Sequence, residues 1–407
     1  MSVVFSKGVG QSSNSIILGS LVLVLAAWSI NHPDKNVQAS ASNALRALPA
    51  QTLRDIEYAR IGDRSIQLDL YLPEGQGPFP VIIWVHGGGW TSGDKDLDRN
   101  DPQVRQAGRG YVVASVDYRL SQQAKFPAQI EDCKAAVRWL RARASSYNLD
   151  PSRIAVWGSS AGGHLAALLG TSGDVIELEG SEDNQGFSSR VNAVVDWFGP
   201  TDLLKMSADS LPFPCNLVDH NSPFSPESLL IGCAIQTCPD KTDKANPIRY
   251  VSSDDPPFLI MHGDRDCLVG PQQSQRLYNA LTAVGVRASL KFLPGAGHGG
   301  SEFEEAENLR LVEDFLDQQL KGVAASLKIT AASVSGKKLF VYGENFENGT
   351  VILLDGEKQK TANDDQNPTT ILIGRKAGKR IAAGQTVILQ VRNPDGRLSE
   401  PFSFSRP

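Results

Sequence analysis

Short apolar runs alternate with longer amphipathic stretches over the middle three fifths of the chain. The runs at 81–85, 111–116, 154–157, 191–197, 257–261 and 288–293 are rich in Val, Ile and Leu. They are too short for core helices and read as buried strands. Between them, 128–143, 161–169, 271–284 and 302–319 carry apolar residues at helical spacing. Strand–helix alternation of this kind predicts an α/β fold, a doubly wound and mostly parallel sheet with helices on both faces. In such a sheet, reactive loops gather at the carboxyl ends of the strands. The stretch 207–250 breaks the rhythm and is rich in Pro, Ser and Cys. It is expected either to fold over those loops or to remain a passive surface insertion.

After residue 321 the pattern changes. Segments 327–334, 338–343, 350–354, 369–373, 385–391 and 402–405 read as short strands, separated by turns such as Asn393-Pro394-Asp395-Gly396. Six short strands in such a span predict a small all-β sandwich over 327–407, following a first domain over 50–321. At the other end, residues 16–30 are apolar throughout. A helix of that length spans ~22 Å at ~1.5 Å per residue, against a ~30 Å hydrocarbon core. With Lys7 ahead of it and Ala39-Ser40-Ala41 as a small-residue cleavage site, residues 1–41 read as a signal peptide. The alternative is an uncleaved membrane anchor. Both predict an extracytoplasmic location, secreted or periplasmic.

Composition narrows the chemistry. The 407 residues carry a net charge of −5 and no basic block, which excludes a nucleic-acid partner. No glycine-rich phosphate loop precedes a lysine, and no His/Cys cluster has metal-ligand spacing, so neither a cofactor nor a metal is expected. The five cysteines leave at least one unpaired in a monomer. Cys133, on an apolar helix, is expected to be a buried thiol; Cys215, Cys233, Cys238 and Cys267 lie in or near the insertion and the acidic loop after it.

The sharpest feature is Gly158-Ser159-Ser160-Ala161-Gly162, between a strand pattern and a helix pattern. Gly-x-Ser-x-Gly in that context predicts a strained turn presenting Ser160 as a nucleophile. His86-Gly87-Gly88-Gly89-Trp90 follows another strand. Its glycines let the backbone approach a developing oxyanion. The N–H groups of Gly88 and Gly89, with that of Ala161, are the expected donors. Of the six histidines, His298 lies in Gly295-Ala296-Gly297-His298-Gly299, a loop after a strand. It is the expected general base. His32 borders the N-terminal apolar segment, His86 is expected to hold its own loop, and His164 to pack inside the fold. His262 ends a strand and His220 lies in the insertion. The acid should fall between nucleophile and base, where Asp264 and Asp266 share one loop. Asp202 is a third candidate, better suited to capping the next helix.

From about residue 52 to 321 these motifs resemble the α/β-hydrolase superfamily, and within it the feruloyl/acetyl-xylan esterase-like (BD-FAE-type) carboxylesterases. The resemblance rests on His86 to Trp90, Asp117-Tyr118-Arg119-Leu120, Gly158 to Gly163, Phe198-Gly199-Pro200-Thr201-Asp202, His262 to Val269 and Gly295 to His298. It implies that the aspartate of Gly-x-x-Asp-x-x-Val is the acid, which selects Asp266. It further implies a Ser160–Asp266–His298 triad hydrolysing carboxylic esters through an acyl-enzyme, on small-molecule or glycan-linked substrates such as acetyl or feruloyl esters of plant polysaccharide. Hormone-sensitive-lipase relatives usually carry Asp before the serine; this chain has Ser159. The tail, through Val341 to Phe346 and Val391 to Gly396, resembles immunoglobulin-like IPT/TIG domains. That resemblance implies attachment to a glycan or cell surface, or a spacer. Two alternatives stand beside the esterase: an amidase or exopeptidase of the same fold, and a non-catalytic adhesion protein.

Overall fold

A computed structural model describes residues 49–407, apart from 182, 213–214, 216–218, 323–326 and 395–396. The expected signal or anchor segment, with His32, lies outside the described residues, as does part of the 393–396 turn.

Eight strands form one sheet: β1 (Gln51–Ile61), β2 (Arg64–Leu72), β3 (Phe79–Val85), β4 (Val112–Val116), β5 (Leu149–Ser159), β6 (Ala193–Trp197), β7 (Phe258–Gly263) and β8 (Ala288–Leu293). Their spatial order is β1-β2-β4-β3-β5-β6-β7-β8. The β1–β2 and β2–β4 pairs are antiparallel and the rest parallel. The β1–β2 hairpin goes beyond the six predicted strands. Ile66, Leu68 and Leu70 alternate with polar residues and are buried, a period-2 signal following the two-residue turn Gly62-Asp63. β1 is largely exposed and carries no such signal.

The parallel strands are covered on both faces, which is why they read as unbroken apolar runs. Because successive side chains on a strand point oppositely, Val81, Ile83 and Val85 enter one core while Ile82 and Trp84 enter the other. Ile154 and Val156 against Ala155 and Trp157 repeat the division on β5. Four long helices complete the layers: α1 (Ala128–Ala142), α2 (Ala161–Thr171), α3 (Gln272–Ala283) and α4 (Ala306–Leu320). Residues of α1, α2 and α3 pack into the first core, while Leu309, Val312, Leu316 and Leu320 of α4 pack into the second.

The 207–250 insertion is more ordered than its composition suggests. It holds short helices at Met206–Asp209, Pro226–Ile231 and Pro239–Asp243. Ser225 caps the second by accepting from the Ser228 N–H at 3.1 Å. A Cys233–Cys238 disulfide closes one part of the insertion, and Cys215–Cys267 joins it to the loop after β7. Cys133 is free and buried.

The tail holds eight strands: β9 (Lys328–Ser335), β10 (Lys338–Glu344), β11 (Val351–Leu354), β12 (Glu357–Lys358), β13 (Thr361–Asn363), β14 (Ile371–Gly374), β15 (Thr386–Arg392) and β16 (Phe402–Ser405). They form two four-stranded antiparallel sheets, β13-β14-β10-β9 and β12-β11-β15-β16. Leu339, Val341 and Leu372 from one sheet share a core with Ile352, Leu389 and Val391 from the other. The two shortest strands, β12 and β13, lack apolar runs and are the ones the sequence pattern misses.

Candidate active site

Ser160 sits between β5 and α2 with φ 54° and ψ −121°. A β-carbon residue in that region is strained and persists only where surrounding structure enforces it. The enforcement is visible. The Ser160 N–H donates to the Trp197 carbonyl at 2.8 Å. A β-carbon on Gly158 would lie 2.1 Å from the Gly162 carbonyl oxygen, and one on Gly162 would lie 2.0 Å from the Val85 carbonyl oxygen. Both glycines are therefore required for β5, the turn and the end of β3 to approach so closely.

Three side chains from three loops meet in one hydrogen-bonded line. The Ser160 hydroxyl lies 2.8 Å from His298 Nε2, and His298 Nδ1 lies 2.7 Å from Asp266 Oδ2. With Nδ1–H donating to the carboxylate, Nε2 is left to accept the serine proton. Asp266 is fully buried, and its other oxygen accepts the backbone N–H groups of Leu268 at 2.8 Å and Val269 at 2.9 Å. Burial opposes its charge, but hydrogen bonds from His262 and His298 outweigh that and hold the carboxyl well below its ordinary range. The phenyl ring of Phe198 meets the His298 imidazole edge-on at 4.7 Å.

Of the two aspartates on the loop, only Asp266 enters this line. Asp264 accepts the Gly295 N–H at 2.7 Å, tying the acidic loop to the loop of His298. Asp202 takes no part; it precedes the 3-10 turn Leu203–Lys205, and the Asp202 N–H donates to Gln273.

The glycine loop approaches the serine from the other side. Gly88 and Gly89 adopt φ 101° and 59°, where side chains are strained, and a β-carbon on Gly87 would lie 3.2 Å from Ser160 Cβ. Among the described residues, the N–H groups of Gly88, Gly89 and Ala161 are used by no backbone hydrogen bond. His86 holds its own loop, with Nδ1 2.8 Å from the Gly87 carbonyl and its ring stacked on Tyr118. His164 packs inside, its Nε2 2.7 Å from the Ala245 carbonyl and its Nδ1 accepting the Trp90 indole N–H at 3.3 Å. Burial pushes His164 down to about 4, so it is neutral.

Two features have no counterpart in the sequence reading. His262 Nε2 reaches both Asp266 Oδ2 at 3.1 Å and the Val269 carbonyl at 2.8 Å, while its Nδ1 accepts from the Ser274 hydroxyl at 2.6 Å. Its position at the end of β7, directly before the acidic loop, was the available signal. The second feature is a pocket of about 70 Å³ beside Ser160, lined by Gly89, Trp90, Ala161, Pro200, Leu268 and Val269 together with Pro226, His220 and Glu227 from the insertion. A larger, more open cleft of about 260 Å³ is lined by residues that include Ser159, Phe198, Gly299 and Gly300. No group of three or more His, Cys, Asp or Glu is gathered for a metal ion among the described residues.

Comparison with known proteins places the chain among esterases of this fold. The BD-FAE family model matches residues 68–281. Esterase LipC of Mycobacterium tuberculosis is 35% identical over 224 residues, covering 54% of this chain and 53% of LipC. This chain thus spans about half the length of that relative. A truncated carbohydrate esterase from gut microbiota superposes with a TM-score of 0.61 at 33% identity, covering 68% of this chain and 98% of that one. Thermogutta terrifontis esterase 2, phosphonylated by sarin, superposes at 0.54 with 29% identity, covering 65% of this chain and 94% of its own.

Proposed function

Since the chain belongs to the BD-FAE family, we propose that it is a serine hydrolase of carboxylic esters, with Ser160, His298 and Asp266 as its catalytic residues. The observation that carries this reading is the 2.8 Å and 2.7 Å hydrogen-bonded line from Ser160 through His298 to Asp266. Ser160 attacks the ester carbonyl as His298 Nε2 takes its proton. Negative charge develops on the carbonyl oxygen, and the unused N–H groups of Gly88, Gly89 and Ala161 receive it; each such donor is worth roughly 3 kcal/mol of barrier. His298 returns the proton to the leaving alcohol. Water, activated by the same imidazole, then releases the acid from Ser160. Asp266 holds the imidazole in the required tautomer without itself taking the proton.

The leaving alcohol must face His298 to be protonated. The pocket on the Gly89–Ala161 side does not include His298 among its walls, so we assign it to the acyl group. It is small, about 70 Å³ against about 260 Å³ for the open cleft, which favours a short acyl group such as acetyl or propionyl over a feruloyl ring. The alcohol then leaves on the His298 side, toward the loop of Gly299 and Gly300, whose residues line the neighbouring open cleft. The carbohydrate esterase among the structural relatives supports a glycan-linked ester. Two disulfides support an exported protein, since such bonds persist in oxidising compartments. The paired antiparallel sheets of the tail support an IPT/TIG-like sandwich, to which we assign attachment to a glycan or cell surface, with a spacer as the alternative.

A panel of p-nitrophenyl esters, acetylated xylo-oligosaccharide and feruloyl esters tests the reading. Among unsubstituted acyl esters, acetyl and propionyl should give the highest kcat/KM, falling at least ~10-fold by hexanoyl as longer chains overpack the pocket. Preference for feruloyl or octanoyl esters would contradict it.

A further inference from the structure

We propose that His220 and Glu227 form a hydroxyl-binding subsite in the acyl pocket, so that the enzyme selects short acyl groups that carry a hydroxyl. The inference rests on the ester-hydrolase reading above and deepens it.

Both side chains belong to the insertion and both are almost fully buried, at 2% and 3% relative exposure. His220 Nδ1 lies 2.9 Å from Glu227 Oε1. The remaining polar atom of each, His220 Nε2 and Glu227 Oε2, is buried and has no partner among the described residues. Both residues line the pocket that Ser160 lines. The rest of that wall offers no competing polar side chain. Trp90 spends its indole N–H on His164, Ser160 is bonded to His298, and Pro200, Pro226, Leu268 and Val269 are apolar.

The pair is also held in place. Glu227 lies in the first turn of a helix capped by Ser225. A β-carbon on Gly89 would lie 3.3 Å from Pro226, so that helix abuts the glycine loop directly.

Two unpartnered buried polar atoms, on residues that line a small and mostly apolar cavity, bear on what can fill it. A purely alkyl acyl group would strand both, at the full desolvation cost of each. A carboxylate would be repelled by Glu227. With Nδ1–H spent on Glu227, Nε2 presents a lone pair in a neutral ring and an N–H in an imidazolium. A hydroxyl both donates and accepts: beside an imidazolium it accepts from His220 Nε2–H and donates to Glu227 Oε2, satisfying both atoms, and beside a neutral ring it donates to one of them. The geometry therefore points to short hydroxyacyl esters, with acetyl esters accommodated because they leave room for a water at the pair.

The test compares size-matched acyl groups on one alcohol, using the full chain: glycolyl against propionyl, and 3-hydroxybutyryl against 3-methylbutyryl. Each kcat/KM is divided by the hydroxide-catalysed rate of the same ester. The wild-type ratio of hydroxyl to methyl is expected at ~10- to 100-fold, the worth of hydrogen bonds to buried, partly charged groups. In His220→Phe/Glu227→Leu, which removes both partners together, the ratio should fall to about one. Glu227→Gln serves as a second variant should the double change fail to fold, and should lower the ratio severalfold. A wild-type ratio near one, with both esters turned over, would overturn the subsite and leave the ester-hydrolase reading standing. So would a ratio that persists in the double variant, or a stronger preference for matched aminoacyl esters. If folded wild-type protein turned over none of these esters, nor the acetyl ester, the underlying reading would fall and this one with it.

Discussion

Substituting Gly162 by alanine tests whether the close approach of the serine turn to the end of β3 matters for turnover. The added methyl carbon would sit 2.0 Å from the Val85 carbonyl oxygen and 2.5 Å from that of His86. Backbone atoms cannot turn aside as a side chain does. Reaching even 3.0 Å requires the serine turn and the start of the glycine loop to separate by 3.0 − 2.0 = 1.0 Å. Those two segments carry Ser160 and Ala161 on one side and Gly88 and Gly89 on the other. A 1 Å misplacement costs ~10²-fold in a well-oriented reaction. An oxyanion donor moved out of reach costs ~10²- to 10³-fold. Gly162→Ala should therefore lower kcat on p-nitrophenyl acetate by ~10²-fold or more, with far-ultraviolet circular dichroism close to wild type. Gly186→Ala is the control, since a β-carbon there meets nothing within 4 Å. Folded Gly162→Ala protein with kcat within about threefold of wild type would refute the reasoning.

Three further outcomes follow from particular groups. Asp266→Asn should lower kcat by ~10⁴-fold, while Asp264→Asn, whose amide oxygen can still accept the Gly295 N–H, should cost less than about tenfold; steady-state kinetics that gave the reverse order would contradict the assignment of the acid. Asp196 is fully buried, and burial raises its carboxyl to about 6 against the Gly199 N–H and His262, which oppose the rise. Its neutral form is thus favoured by the fold, and ionisation costs stability: nothing below about pH 4, rising through pH 6 to roughly 3 kcal/mol above it. Asp196→Asn should accordingly stabilise the protein at pH 8 and not at pH 4, read as Tm at both; equal shifts at the two values would count against it. The Cys215–Cys267 bond closes a separation of 52 residues, worth about 4 kcal/mol by loop-closure entropy. Cys215→Ala should show a loss of that order in urea denaturation, and a loss below about 1 kcal/mol would mean that the insertion is held by its packing alone.

The parallel strands were legible because burial on both faces makes them unbroken apolar runs, as 81–85 and 191–197 illustrate. The β1 strand was not, because most of its side chains face solvent and nothing in its pattern marks a period. The meeting of Ser160, His298 and the glycine loop could be anticipated because it depends on local backbone form, which glycine spacing records. The choice between Asp264 and Asp266 could not be made from spacing; it came from the family resemblance. Geometry separates them by what each oxygen accepts. His220 and Glu227 were least legible. Their meeting with Ser160 depends on an insertion whose path is set by two disulfides and by packing against Gly89, none of which leaves a periodic trace.

The most direct test of the central claim is the mass of the protein after reaction with a fluorophosphonate, followed by peptide mapping. Wild type should gain a single adduct on Ser160 and lose ester hydrolysis in proportion. Ser160→Ala should gain none and should hydrolyse p-nitrophenyl acetate no faster than ~10⁻³ of wild type, since loss of a triad serine costs up to ~10⁶-fold in kcat. An adduct on another residue, or near-wild-type turnover by folded Ser160→Ala, would contradict the account.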